Sequence, residues 1–327
     1  MTTYTKRLTK TLMIGAMSVT VLAGCEVTNP GPVQDEFLAQ DASQQGLVNG
    51  AARRYAELMY LGYTNAILSQ EVFPGGQTGA FGHDVLLQGG EIVPGSFGGY
   101  FNDAVQTRFI AETAIKRFTD VGAADNMLYQ AHLWAGFAYR TLGENWCDAV
   151  IGSTDPDDPE PGSFEAGTDT YFTRAITNFD AAFLLAASDE QRYAVQGARA
   201  AANAWLGNWG AVTTDAMAVP DDFVFASNMD SSEQAIYNAV YWANAFNPYA
   251  AYTMDFTWWK DEYTANGDPR IPWFDDPATP LANAALSGFG PVPWSNQAKY
   301  TTRDDDVDLV SGWEMRLLEA EADLVQN

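Results

Sequence analysis

Carboxylates and aromatics are abundant in this chain, and nucleophile–base pairs are scarce. There are 42 Asp and Glu residues but two histidines, His83 and His132, and two cysteines, Cys25 and Cys147. Neither H-E-x-x-H nor G-x-S-x-G occurs, so a zinc-protease helix and a nucleophile elbow are both missing from the sequence. Two histidines leave little room for a Ser-His-Asp arrangement. Without a C-x-x-C pair, zinc and redox motifs are absent as well. A carboxylate pair at glycosidase separation arises by chance among so many acids and identifies nothing alone. More specific chemistry lies where aromatics sit beside hydrogen-bonding groups, at Phe81-Gly82-His83-Asp84 and Trp258-Trp259-Lys260-Asp261. Sugars present apolar C–H faces ringed by hydroxyls; flat rings stack on the faces, and Asn, Asp and Arg exchange hydrogen bonds with the rim. Phe81, His83, Asp84, Tyr100, Trp258, Trp259 and Trp273 are therefore the candidate ligand-binding residues. Adjacent side chains of an extended segment face opposite ways, so at most one of Trp258 and Trp259 is expected to face the ligand. His132 lies in an apolar helix and reads as a core histidine with its hydrogen bond satisfied.

Most of these residues fall in long irregular stretches. Residues 71–100 hold nine glycines, with aromatics at 73, 81, 97 and 100, and such excursions usually carry function. The glycines form no phosphate cradle, because no G-x-x-x-x-G-K-[ST] is present. Residues 247–301 are turn-rich and gather Trp258, Trp259, Trp273, Phe274 and Trp294. A third loop carries Asp155, Asp157, Asp158 and Glu160. These could collect calcium, yet the run lacks the spacing and glycine of an EF-hand loop, so a solvated loop without metal is expected. No cofactor is expected either.

The elements that must hold these loops are helices. Leu133, Trp134, Phe137, Ala138, Thr141 and Leu142 recur every three or four positions, as do Phe172, Ala175, Ile176, Phe179, Ala182 and Phe183. Gly136-x2-Tyr139 and Ala175-x3-Phe179-x2-Ala182 place small and large residues a turn apart. That is the packing pattern of tetratricopeptide-type helix pairs, and Trp209, Val212, Ala216 and Val219 repeat it. Further helices are expected over 41–61, with Leu47, Ala51, Tyr55 and Leu58 inward, and over 102–119, 230–245 and 308–327. In the last, Leu309, Trp313, Leu317, Leu318 and Leu324 form the apolar face. The fold class is mainly α: a tetratricopeptide-like repeat scaffold with long loop insertions.

At 327 residues with 47% hydrophobic content, the chain can bury a sizeable core. Aromatics make up 13%, more than a repeat core needs, so some are expected at a binding surface. A formal charge of −25 opposes nucleic acid and anionic lipid as electrostatic partners. At the N-terminus, Lys6, Arg7 and Lys10 precede an apolar run that ends in Leu22-Ala23-Gly24-Cys25, which looks like the lipobox of bacterial lipoproteins. Residues 1–24 then form a signal peptide, Cys25 is the lipidation site, 25–36 is a linker, and 37–327 is a single domain. Cys147, left without a disulfide partner, is expected to be a buried thiol.

Taken in order, these pieces resemble the SusD/RagB family of outer-membrane nutrient-binding lipoproteins. The matching features are Cys25, the Asn-Pro-Gly-Pro at 29–32, Ala138–Asp148 as a repeat helix ending in a turn, Asp268-Pro269-Arg270, Lys299-Tyr300, and the helix Trp313–Ala322. The family's partner for that last helix is missing before Asn327, so a final repeat helix is expected to be absent. The resemblance implies a non-enzymatic, surface-exposed, lipid-anchored outer-membrane protein. Such a protein binds a glycan or peptide and passes it to a SusC-like TonB-dependent transporter. The alternatives are a lipid-anchored repeat scaffold that binds only protein, and a glycoside hydrolase.

Overall fold

The computed structural model describes residues 40–76, 91–92, 97–153, 162–165, 167–245, 250–268, 270, 272–283 and 291–326. Cys25, Phe81, His83, Asp84, Asp155, Asp157, Asp158 and Glu160 lie outside these residues. The chain divides into Met1–Gln40, of which only Gln40 is described, and Asp41–Asn327, in which all the elements below fall.

Helices α1 (Asp41–Leu58), α2 (Tyr60–Leu68), α3 (Gly98–Val121), α4 (Asp125–Asn145), α5 (Asp169–Leu185), α6 (Asp189–Trp205) and α7 (Trp209–Ala216) come first. The chain ends its described part with α10 (Gly312–Gln326). Packing runs from neighbour to neighbour: α1 on α3, α3 on α4, α4 on α5, α5 on α6, α6 on α7, and α7 on α10. The apolar periodicity expected from the sequence faces inward. Leu133, Phe137, Leu142, Phe172, Ala175, Phe179 and Ala182 are all buried in one cluster with Tyr55 and Leu58 of α1. Small residues set the approach of α4 and α5. A Cβ on Gly136 would stand 2.4 Å from the Phe179 ring, and one on Gly143 would stand 2.8 Å from Phe172. Helix α4 could not carry alanine at either point without a shift.

Short antiparallel ribbons lace the scaffold. β2 (Ala149–Ile151) pairs with β3 (Ser163–Glu165), and β4 (Val224–Ser227) pairs with β8 (Val307–Ser311). β1 (Phe73–Pro74) pairs with β5 (Tyr252–Thr253), and β6 (Trp273–Asp275) with β7 (Ser295–Gln297).

Several scaffold elements depart from the sequence expectations. The helix expected over 102–119 begins earlier, so Tyr100 stands on α3 and not on a loop. The 230–245 helix is reduced to a 3-10 turn, Gln234–Ile236, and the short α8, Ala239–Ala245. Asn238 divides them: its Oδ1 accepts the Tyr241 N–H at 3.0 Å, while its Nδ2 donates to Asp305 O at 2.8 Å. Cys147 is exposed, because Trp146 takes the inward position and packs edge-on against Phe101. The face expected for α10 holds only in part: Leu309, which lies on β8, is buried and Leu318 packs against the cluster around Met315, but the other three residues turn outward. Met315 and Ala322 are buried, whereas Trp313, Leu317 and Leu324 are 81%, 72% and 83% exposed. Both stripes have helical spacing. The stripe with smaller residues turns inward because Gly312 presses on the backbone at Pro220 and Asp221, where a Cβ would lie 2.2 Å from the Pro220 oxygen.

Candidate functional site

The loop aromatics are carried by a second core beside α2. Tyr63, Ile67, Val72, Ala251, Tyr252 and Met254 are buried together, and Trp259 and Trp273 pack against them. The Tyr63 and Tyr252 rings meet edge-on at 4.5 Å, and burial raises both phenols well above their ordinary pKa. Backbone contacts hold the segments in place. The N–H groups of Gly75 and Gly76 donate to Ala251 O at 2.9 and 2.7 Å. A side chain at Gly76 would come within 2.7 Å of Ala250 O, so the approach needs glycine. Met254 N–H donates to Ser295 O at 2.8 Å, and Trp294 Nε1 donates to Tyr252 O at 2.9 Å, which places Trp294 in the core.

Trp258 and Trp259 do not lie on an extended segment. They open α9, Trp258–Asn266, which Thr257 caps by accepting the Lys260 N–H at 3.3 Å. In a helix, adjacent side chains diverge by about 100° and do not oppose one another. The two rings therefore lie together, with centroids 3.9 Å apart and planes at 31°. Trp258 is 54% exposed and Trp259 is half-buried. Just before them stands Phe256, which the sequence reading passed over. It is 69% exposed, its φ is +66°, and it meets Phe73 edge-on at 5.2 Å. A bulky residue held in the left-handed region is strained, and such strain gathers at functional positions. No sequence signal marks it, since neither glycine nor asparagine announces the turn.

Behind these rings is a polar cluster. Lys260 forms an ion pair with Asp255, hydrogen-bonds Ser295, and stands 3.5 Å from the Asp275 carboxylate. Its ammonium lies 4.3 Å from the centroid of the Trp273 ring, a cation–π contact. Three polar atoms nearby have no hydrogen-bond partner among the described residues: the indole N–H groups of Trp259 and Trp273 and the side-chain oxygen of buried Asn296. Leaving a buried polar group unsatisfied costs about 1–3 kcal/mol, which an accepting or donating ligand or water would recover.

Of the sequence candidates that are described, Trp258, Trp259 and Trp273 are brought together. Tyr100 stands on the scaffold side, where its hydroxyl accepts from Thr64 Oγ1 at 2.9 Å, and burial raises its pKa. Asp268 and Arg270 form the expected turn: the Arg270 N–H groups bind the Asp268 carboxylate and hold it down to about 2. His132 is half-buried, with Nδ1 2.9 Å from Asn178 Oδ1. No group of three or more His, Cys, Asp or Glu able to hold a metal occurs among the described residues.

A consecutive helical scaffold laced by short ribbons, with an aromatic loop module on one core, defines a tetratricopeptide-like class of fold. Among solved structures it is similar to a SusD/RagB family protein from Bacteroides thetaiotaomicron, with a TM-score of 0.56 and 15% sequence identity over 83% of this chain and 67% of that one. That likeness establishes the fold. No protein-family model and no curated protein matches the sequence. No helix among the described residues is long and apolar enough to cross a membrane.

Proposed function

We propose that the chain is a nutrient-binding lipoprotein of the bacterial outer membrane. It takes a glycan at the platform of Phe256, Trp258 and Trp259 and passes it to a SusC-like TonB-dependent transporter. The observation that carries this reading is an open aromatic surface beside buried hydrogen-bonding groups that have no partner among the described residues. Stacking on the rings would desolvate the C–H faces of a sugar, and its hydroxyls would meet the exposed edge of the polar cluster at Asp275. Asp255, Asp261 and Asp275 at the same place disfavour an anionic glycan by like-charge repulsion. The reading needs no bond-breaking step. Acyl chains on Cys25 would supply the membrane attachment, at about 0.8 kcal/mol per buried methylene. Phe81, His83 and Asp84 are proposed to complete the ligand site.

Calorimetric titration with neutral oligosaccharides tests the platform. The double variant Trp258→Ala/Trp259→Ala is expected to lose affinity by about tenfold or more. Unchanged affinity would remove these rings from the site. Release of new reducing ends by the pure protein would instead favour the hydrolase. Co-purification with a large β-barrel tests the transporter partnership.

A further inference from the structure

A second surface, sharing no residue with the aromatic platform, lies along β4. Two cavities of about 630 and 320 Å³ flank this strand. They adjoin at Gln130, Trp134 and Phe225, which line both, and together they border the strand as a two-lobed surface groove. Its first lobe lies between α4, α6 and β4, and its second between α1, α4 and β4. Val224 and Phe225 line the first, and Phe225, Ala226 and Ser227 the second, so the whole strand borders the groove. β4 pairs with β8 alone in its sheet, and its other edge has no strand partner among the described residues.

Three further features indicate what the groove would take. The first is an aromatic lining: Trp134 and Phe225 lie 6.1 Å apart, and Tyr193 meets Phe223 edge-on at 5.5 Å. The second is charge. Glu190 and Asp222 line the first lobe, both are exposed, and neither has an ion-pair partner among the described residues. The third is the Ser227 hydroxyl, which lines the second lobe at 1% residue exposure and has no hydrogen-bond partner among the described residues. A buried hydroxyl in that state fits a backbone donor or acceptor brought by an occupant.

We propose that this groove docks an extended peptide segment of a partner protein, one that alternates aliphatic or aromatic side chains with lysine or arginine. The backbone would add to the free edge of β4, in the manner of strand augmentation. Apolar side chains would enter the aromatic lobes, and basic ones would meet Glu190 and Asp222. The inference does not depend on glycan binding at the Trp258 platform.

The test uses the whole protein and a short capped peptide of alternating lysine and valine or phenylalanine, followed by fluorescence anisotropy. Its glutamate-for-lysine counterpart, and the same peptide N-methylated at alternate amides, serve as comparators. Binding of the basic peptide is expected, together with about a tenfold or greater loss for each comparator. The double variant Glu190→Lys/Asp222→Lys, at two exposed positions, should show the same loss while its circular dichroism is unchanged. Absence of binding by the basic peptide would overturn the proposal. So would equal binding of the acidic peptide, indifference to N-methylation, or full retention in the lysine variant.

Discussion

Histidine, which sequence inspection treats as mechanistically loaded, is described at one position, His132. His132 serves the scaffold. Burial lowers its pKa below the ordinary value of 6.5, against the opposing hydrogen bond to Asn178. The unfolded chain therefore binds a proton more readily than the folded one. The stability associated with the neutral ring is present above the unfolded value and is lost as pH falls through about 6.5 and below. His132→Gln, which keeps a polar group but cannot titrate, should flatten that part of the profile. Urea midpoints for both proteins between about pH 5 and 8 would check it; parallel profiles would assign the acid sensitivity elsewhere. At Gly136 the determinant is space. Alanine there would drive a methyl group into Phe179, which is fully buried between α4 and α5. The expected cost is about 1–3 kcal/mol by denaturant titration. Gly136→Ala therefore tests whether the close approach of α4 and α5 is as tight as the geometry states.

Among the elements, legibility followed the length of the periodic signal. Helices α1, α4 and α5 run 17 residues or more, so several turns of apolar spacing mark each inward face. The ribbons around the site are two or three residues long and carry no period to read. What assembles the platform is tertiary: Lys260 reaches Ser295 across 35 residues, and no local pattern announces it. The start of α9 at a threonine cap was missed, and with it the side-by-side setting of Trp258 and Trp259. For α10 the difficulty was the reverse, because two apolar stripes compete and close backbone contact at Gly312 decides between them. One further interelement tie was invisible in the sequence. Arg199 on α6 binds Asp215 on α7 in a bidentate pair, both bonds 2.7 Å, and also reaches Asp180 on α5 at 2.6 Å. Asp215 is 4% exposed, so removing its partner leaves a buried charge uncompensated. Arg199→Ala is expected to cost about 3–5 kcal/mol, and Arg199→Ala with Asp215→Ala appreciably less. Equal losses in the single and double variants would mean that packing, not the pair, joins these helices.

Across the whole molecule, the formal charge of −25 acts on stability and on binding through the same screening. Self-repulsion opposes compaction, so the urea midpoint should rise as sodium chloride goes from about 0.05 to 0.5 M. The two surfaces should respond to that change differently. Stacking of a neutral sugar on Phe256, Trp258 and Trp259 places no net charge opposite the protein, so oligosaccharide affinity should vary little with salt. A basic peptide in the β4 groove is drawn by exposed Glu190 and Asp222 and by the surrounding acidic field, so its affinity should fall steadily over the same range. Titrating both probes into one preparation across the salt series separates the sites without any mutation. Parallel salt curves would mean that one electrostatic surface serves both ligands, and the division of the molecule into a stacking platform and a charged docking groove would then be wrong.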